Sequence, residues 1–290
     1  MKFSFISLVS KLTLATSVAG ALVGCDDPTY PTPTPVTESS VGQARILVVN
    51  AAPGTQGVTI QSDNQPFGAV APYLSSAAGT YTSVSAGLRL LLFNDPANIP
   101  SNVPVTTPPA TPRTLVSRTS YLGGTDYTIF VTDPPSRAFV APVTATSDQG
   151  GIRPVTLIDN LSAPTVATYA KIRFVNLAPT ATGGNTTYGI FHSVTQVPLF
   201  SAISIRGYRL TTNTSTATPP VTTNFANFTE VAAASYSLDV RSVATTPIVG
   251  TQQIITLAAG KIYTLYVRGI SNGAANNGPT PLGISLVTHN

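Results

Sequence analysis

The chain is predicted to be all-β: two tandem antiparallel β-sandwich domains of immunoglobulin-like type, following a cleaved export leader and a Pro/Thr-rich tether. Three observations predict this. Short apolar runs of period two are separated by turn residues, one pattern of segments occurs twice in the same order, and the composition favours strands over helices. The 290 residues suit two domains of about 120 residues, each able to bury roughly two thirds of its unfolded surface. There are 25 Pro and 22 Gly, and only 9% of residues are charged, against about 25% in ordinary globular chains. Thr, Ser, Asn and Gln must keep such an exterior wet.

The first 24 residues have the three parts of an export signal. Lys2 and Lys11 supply positive charge, Leu12 to Val23 supply an apolar stretch, and Leu22-Val23-Gly24-Cys25 follows. The stretch is too short for a membrane-spanning helix, which needs about 20 residues. The four closing residues resemble the lipobox of bacterial lipoproteins. That resemblance implies removal of residues 1–24, a diacylglycerol on the Cys25 sulfur, and acylation of the new amino terminus by a chain such as palmitate. Several acyl chains hold a protein to a membrane where one is marginal. Cys25 is the sole cysteine, so no intramolecular disulfide can form. Asp26 and Asp27 resemble an inner-membrane retention signal in enteric bacteria and a surface-display signal in Bacteroidota; the outer membrane or cell surface is the favoured address. Residues 25–42 are the lipidated cysteine and its tether. Its alternating Pro and Thr favour polyproline II at about 3.1 Å per residue, a standoff of roughly 45 Å.

The first domain is assigned to residues 43–162 and the second to 163–290. Ala44-Arg-Ile-Leu-Val-Val-Asn-Ala-Ala-Pro53 opens one and Ala170-Lys-Ile-Arg-Phe-Val-Asn-Leu-Ala-Pro179 the other. Next come Thr82-Ser-Val-Ser-Ala86 and its weaker match Thr229-Glu-Val-Ala-Ala233. Asp126-Tyr-Thr-Ile-Phe-Val131 is echoed by Ile262-Tyr-Thr-Leu-Tyr-Val267, and each copy closes on a β-like run, Pro154 to Asp159 or Gly283 to Thr288. Ile46 and Val48 share one strand face, as do Ile172 and Phe174, with Arg45, Lys171 and Arg173 on the other. Tyr127, Ile129 and Val131 line up, and so do Tyr263, Leu265 and Val267. Further strands are expected at Val58–Gln61, Leu88–Phe93, Thr114–Ser120, Tyr188–His192 and Tyr236–Arg241, about seven per copy. Turns are expected at Pro53-Gly54, Gly123-Gly124, Gly183-Gly184 and Gly250. A Pro-rich insertion at 94–113 interrupts the first copy, and a Thr-rich one at 211–224 interrupts the second.

These openings, the Tyr-Thr-Ile-Phe-Val and Ile-Tyr-Thr-Leu-Tyr-Val strands, and the Asp159-Asn-Leu-Ser-Ala-Pro164 junction resemble the bacterial domain of unknown function 4397. The resemblance covers nearly all of the chain after the tether. It implies tandem copies in an envelope lipoprotein and brings no catalytic residues with it.

The residues bound the chemistry. Lys2 and Lys11 lie in the leader, leaving 13 basic against 11 acidic residues, too even a balance for a nucleic-acid partner. His192 sits in an expected strand and His289 beside the last residue, neither with a metal-ligand neighbour at strand or helix spacing. The glutamates are Glu38, in the tether, and Glu230. Asp63, Asp95, Asp126, Asp133, Asp159 and Asp239 mostly border Pro, Asn or Gly, as turn residues do. Asn94-Asp95 and Asp133 lack the spacing of a calcium loop. Asn50 and Asn176 read as strand-end caps before Pro53 and Pro179, and Arg45, Lys171 and Arg173 as a solvated strand face. Tyr127 and Tyr263 read as core, whereas Tyr73, Tyr81 and Tyr121 lie near loops where a ring could meet a glycan. No catalytic, metal or cofactor site is expected, only lipidation at Cys25. The expected protein is a lipid-anchored, non-enzymatic binding or display module whose partner is a glycan or an envelope or surface protein. The alternatives are an envelope spacer without a ligand and an enzyme acting on extracellular polymer.

Overall fold

Runs such as Ile46-Leu-Val-Val49 and Ile129-Phe-Val131 carry β-branched or aromatic side chains on both faces of a strand, a pattern suited to strands covered on both sides. The computed structural model describes residues 42–74, 80–95, 115–137, 151–212, 221–243, 249, 251–271 and 280–290. The leader, Cys25, residues 26–41, most of the 94–113 insertion and Gly250 lie outside them. The described residues belong to one unit, Glu38–Asn290, and contain strands and turns with no helix.

The first copy contributes β1 (Gln43–Asn50), β2 (Thr59–Ser62), β3 (Gln65–Pro66), β4 (Thr82–Ser85), β5 (Gly87–Asn94), β6 (Leu115–Tyr121), β7 (Asp126–Thr132) and β8 (Arg153–Asp159). They form two four-stranded sheets, β4-β1-β7-β8 and β3-β2-β5-β6. The second copy contributes β9 (Tyr169–Asn176), β10 (Thr187–His192), β11 (Pro198–Ser204), β12 (Arg209–Thr212), β13 (Val221–Asn224), β14 (Thr229–Ala232), β15 (Ser235–Arg241), β16 (Gln253–Thr256), β17 (Ile262–Arg268) and β18 (Gly283–Thr288). Its sheets, β14-β9-β17-β18 and β11-β10-β15-β16, repeat the first copy's order strand for strand. The extra pair, β12 with β13, is the Thr-rich insertion. It begins two residues earlier than expected, where Arg209 pairs with Asn224.

Each copy is thus a β-sandwich of eight strands. All pairings are antiparallel except β1 with β7 and β9 with β17, which run parallel at the centre of the equivalent sheets. Three sandwich strands escaped the sequence reading: β3, of two residues, β11 and β16. Asp63 and Asn64, both at positive φ, close the β2–β3 hairpin as a two-residue turn of the I′ kind, which matches strand twist. Gly189 marks a register shift between β10 and β11. A Cβ there would meet the Phe200 carbonyl oxygen at 2.5 Å, so only glycine lets the backbones approach.

Three apolar clusters hold the molecule. Ile46, Val48, Leu91, Phe93, Tyr127, Ile129 and Val131 are among those filling the first sandwich. Ile172, Phe174, Ile190, Phe200, Val240, Leu265 and Val267 help fill the second. The third cluster belongs to neither: Leu47, Val49, Phe130, Val155 and Leu157 of the first copy pack against Val175, Leu177 and Tyr266 of the second. The sheets β4-β1-β7-β8 and β14-β9-β17-β18 are therefore inner sheets, face to face in a four-sheet stack. Burying each such side chain contributes about 2 kcal/mol.

Residues 160–168 join the copies and are tied to the second. The Glu230 carboxylate accepts from the Thr165 amide and hydroxyl, both at 2.7 Å, and Lys171 Nζ donates to the Ser162 carbonyl and hydroxyl, both at 2.8 Å.

Candidate functional site at the buried face between the copies

The hydrogen-bond register sets residue equivalence more finely than the motifs do. Arg153 pairs with Thr132 and Gly283 with Arg268, so β8 and β18 align with Asp159 opposite His289, one residue off the motif ends. The same alignment equates Phe130 with Tyr266, Thr128 with Thr264, Leu47 with Arg173 and Asp133 with Gly269.

At one end of the inter-copy face lies a closed polar network. The Arg173 and Asp159 side chains have no exposed surface, and Arg173 Nη2 stands 2.5 Å from Asp159 Oδ1. Arg173 also donates through Nη1 to the Ile158 carbonyl at 2.9 Å and through Nε to Thr264 Oγ1 at 2.7 Å. Asp159 Oδ2 accepts from Tyr81 OH at 2.6 Å and Thr128 Oγ1 at 2.7 Å. His289, equally buried, meets Tyr81 OH with Nδ1 at 2.8 Å and Thr264 Oγ1 with Nε2 at 2.7 Å. Because the Tyr81 hydroxyl gives its proton to Asp159, it accepts from Nδ1–H. Because Thr264 Oγ1 receives the Arg173 Nε–H, it donates to Nε2. The network assigns a neutral imidazole protonated on Nδ1. Burial pushes the His289 pKa down to about 4; the Asp159 charge opposes this and the Arg173 charge adds to it. Burial also lowers Arg173, against Asp159, and raises the Tyr81 phenol, which the Asp159 charge raises further. The Arg173 guanidinium lies 4.5 Å from the Phe228 ring centre, and Phe228 stands edge-on to His289.

The other end is ionic. Asp133 follows β7 in a left-handed backbone conformation (φ 67°) with a side chain closed to solvent. Arg206 of the second copy, itself at φ 58°, sets Nη1 at 2.7 and 2.9 Å from its two oxygens. The Nε atoms of Arg137 and Arg153 each stand 3.4 Å from Oδ2. Burial raises the Asp133 carboxyl, and Arg206, Arg137 and Arg153 in that order pull it back. The Arg137 side chain crosses to the second copy and covers Gly183, where a Cβ would collide with it. Thr132 Oγ1 donates to the Leu177 carbonyl at 3.0 Å.

Several sequence readings are corrected. Lys171 is nearly buried and Arg173 wholly so; of the expected solvated basic face only Arg45 remains outside, paired with Asp126. Leu47, Val49, Val175 and Tyr266 share that face and draw the other copy over it. Asp159 and Asp239 are buried strand residues instead of turn residues, and Asp239 is bound by Arg241 at 2.7 Å. Asp63 is in a turn, and Asp95 is buried after β5. Tyr81, half-buried, presents its hydroxyl to Asp159 and His289; Tyr121 is 1% exposed and edge-on to Tyr127; the Tyr73 hydroxyl is enclosed. The readings of Tyr127, Tyr263, Asn50 and Asn176 hold. Tyr127 and Tyr263 are core, and each phenol accepts the amide five residues before it, Leu122 or Ala258. Asn50 and Asn176 cap their strand ends, accepting from the amides of Ala52 and Ala178. Each amide group also reaches across its own sandwich, to the Ala71 or Ile203 carbonyl, at 2.9 Å in both copies. His192 lies partly exposed on β10 against Tyr236. Among the described residues no group of three or more His, Cys, Asp or Glu could hold a metal.

The Asp159–His289 network was missed because its members are 130 residues apart. The available signal was the apolar company that Arg45 and Arg173 keep on their strand faces, Leu47 and Val49 on β1 and Val175 on β9. No family model matches this chain and no curated protein matches it significantly. Among solved structures, a candidate cell adhesion protein from Parabacteroides distasonis ATCC 8503 is 10% identical over 88% of this chain and 99% of its own, with a TM-score of 0.18. Another from Bacteroides eggerthii DSM 20697 is 10% identical over 86% and 95%, with a TM-score of 0.17. The fold described above rests on strand order and contacts, not on these likenesses.

Proposed function

We propose that this chain is a lipid-anchored, non-enzymatic display module of the bacterial cell envelope, held by lipid on Cys25 and carried on the outer membrane or cell surface. The observation that carries this reading is the order of parts: a lipobox, a Pro/Thr tether, then two sandwiches joined through a shared apolar face. A folded pair of sandwiches carried on a Pro/Thr-rich tether suits presentation. The buried aspartates, arginines and His289 spend their bonds on each other, which favours a structural use for them over chemistry. The resemblance to the domain of unknown function 4397 points to the same address. Binding of a glycan or an envelope or surface protein is assigned to the strand connections, since loops on a rigid sandwich usually carry contacts. The test is protease treatment of intact cells, with Cys25→Ser as the anchoring control. Digestion without lysis, and release of the variant into the medium, support surface display. Protection until the outer layer is opened would favour a periplasmic spacer.

A further inference from the structure

The inter-copy face is built from the same patch on both sides. Phe130 and Tyr266 are equivalent residues, and their rings meet at 5.4 Å. Asp159 and His289 are equivalent, and they approach to 4.0 Å. Equivalent residues meet in this way only across a pseudo-two-fold axis, the geometry of an isologous dimer interface. Such a patch can dock on its own like, so shape does not choose between unlike and like pairs.

Chemistry does. Across the axis Asp159 of the first copy receives Arg173 of the second, whereas the position equivalent to Arg173 in the first copy is Leu47. Asp133 receives Arg206. The equivalent of Asp133 in the second copy is Gly269, and the equivalent of Arg206 in the first is Leu74: both donate their amide to the carbonyl of Asn176 or Asn50, and both have positive φ. Two first copies would set Asp159 beside Asp159 and give Asp133, which keeps Arg137 and Arg153 of its own copy, a Leu74 in place of Arg206. Two second copies would set His289 beside His289, strip Arg173 of its carboxylate and place Arg206 over Gly269. The first arrangement leaves two Asp159 carboxylates, and the second Arg173, buried without a counter-ion.

We infer that the inner-sheet face of each copy is an interaction surface fitted to the other copy and set against its own kind, so the partner it selects is the unlike copy, from the same chain or from a second one. The test uses the whole chain with a protease site inserted after Ala163, cut after folding, and native mass spectrometry. The nicked protein is expected to remain a 1:1 pair. Heavy- and light-isotope preparations are then mixed and cycled through urea and back. Unlike pairs should exceed like pairs by about a hundredfold. Separation of the halves before the cycle, failure to re-pair after it, or like pairs as common as unlike pairs would each overturn the inference. A second variant, Asp133→Gly with Arg206→Leu, removes the ion pair that crosses between the copies at this corner. It should raise the like-pair fraction about tenfold, and an unchanged fraction would show that charge at this corner makes no choice.

Discussion

The two corners of the inter-copy face do one backbone job in different ways. After β7 the chain turns through a left-handed residue, Asp133; after β17 it turns through Gly269 at φ 96°. Glycine adopts that conformation freely, while an L-residue with a side chain resists it. Opposite Asp133 stands Arg206, and its equivalent in the first copy, Leu74, shares its positive φ. The second corner shows that the turn needs no ions. Of the three guanidinium groups around the Asp133 carboxylate, Arg206 comes from the other copy and Arg137 and Arg153 from its own.

The comparison can be broken most severely at the buried network. Arg173→Met should destabilise the protein by about 3–5 kcal/mol, because Asp159 stays buried without its partner. Its equivalent, Leu47→Ala, loses only packing and should cost about 2–3 kcal/mol. Urea unfolding of both variants reads the difference; a smaller loss for Arg173→Met would mean that packing outweighs the ion pair at this face.

The next effect is a pH dependence. His289 titrates near 4 in the folded chain and near 6.5 when unfolded, so its folded pKa is depressed. Between those values the unfolded state holds the extra proton. Stability is then lost as pH falls from about 6.5 to about 4, by roughly 3 kcal/mol in total, and this contribution levels off below. His289→Gln should flatten that part of the stability–pH curve while lowering its neutral-pH plateau; a slope unchanged by the substitution would assign it to the carboxylates.

Smaller effects should be shared equally between the copies. Asn50→Ala and Asn176→Ala strand the same buried groups, and each should cost about 2 kcal/mol. A difference of more than about 1 kcal/mol in thermal or urea unfolding would show that the two copies bear load unequally. The least effect is expected from deleting residues 97–112. Asn94 pairs with Thr59 in the sheet and is kept; shortening the connection should change stability by less than about 0.5 kcal/mol. Loss of the folded state would mean that this segment belongs to the sandwich.

Much of the fold was legible because the code for it is local. Period-two runs such as Tyr127–Val131, punctuated by Gly54, Gly124 and Gly183, each at positive φ, announce strands and turns wherever they stand. The site was less legible. Arg173 and Lys171 were read as solvated because charge usually faces water, and Asp159 as a turn residue because Asn160 follows it. Both readings are sound averages, overruled by a neighbour that sequence does not display.

The sequence by itself determined most of the strand content and the two copies with their cores, since each depends on residues within a few positions of one another. Only the tertiary structure decided that the copies close face to face, and that Tyr81, Asp159, Arg173, Thr264 and His289 form one network. The physical reason is that a strand's second face is specified by whatever packs on it. Leu47 and Val49 state that something must cover them, but Val175, Leu177 and Tyr266 are identified as the cover only once the chain has folded back on its own repeat.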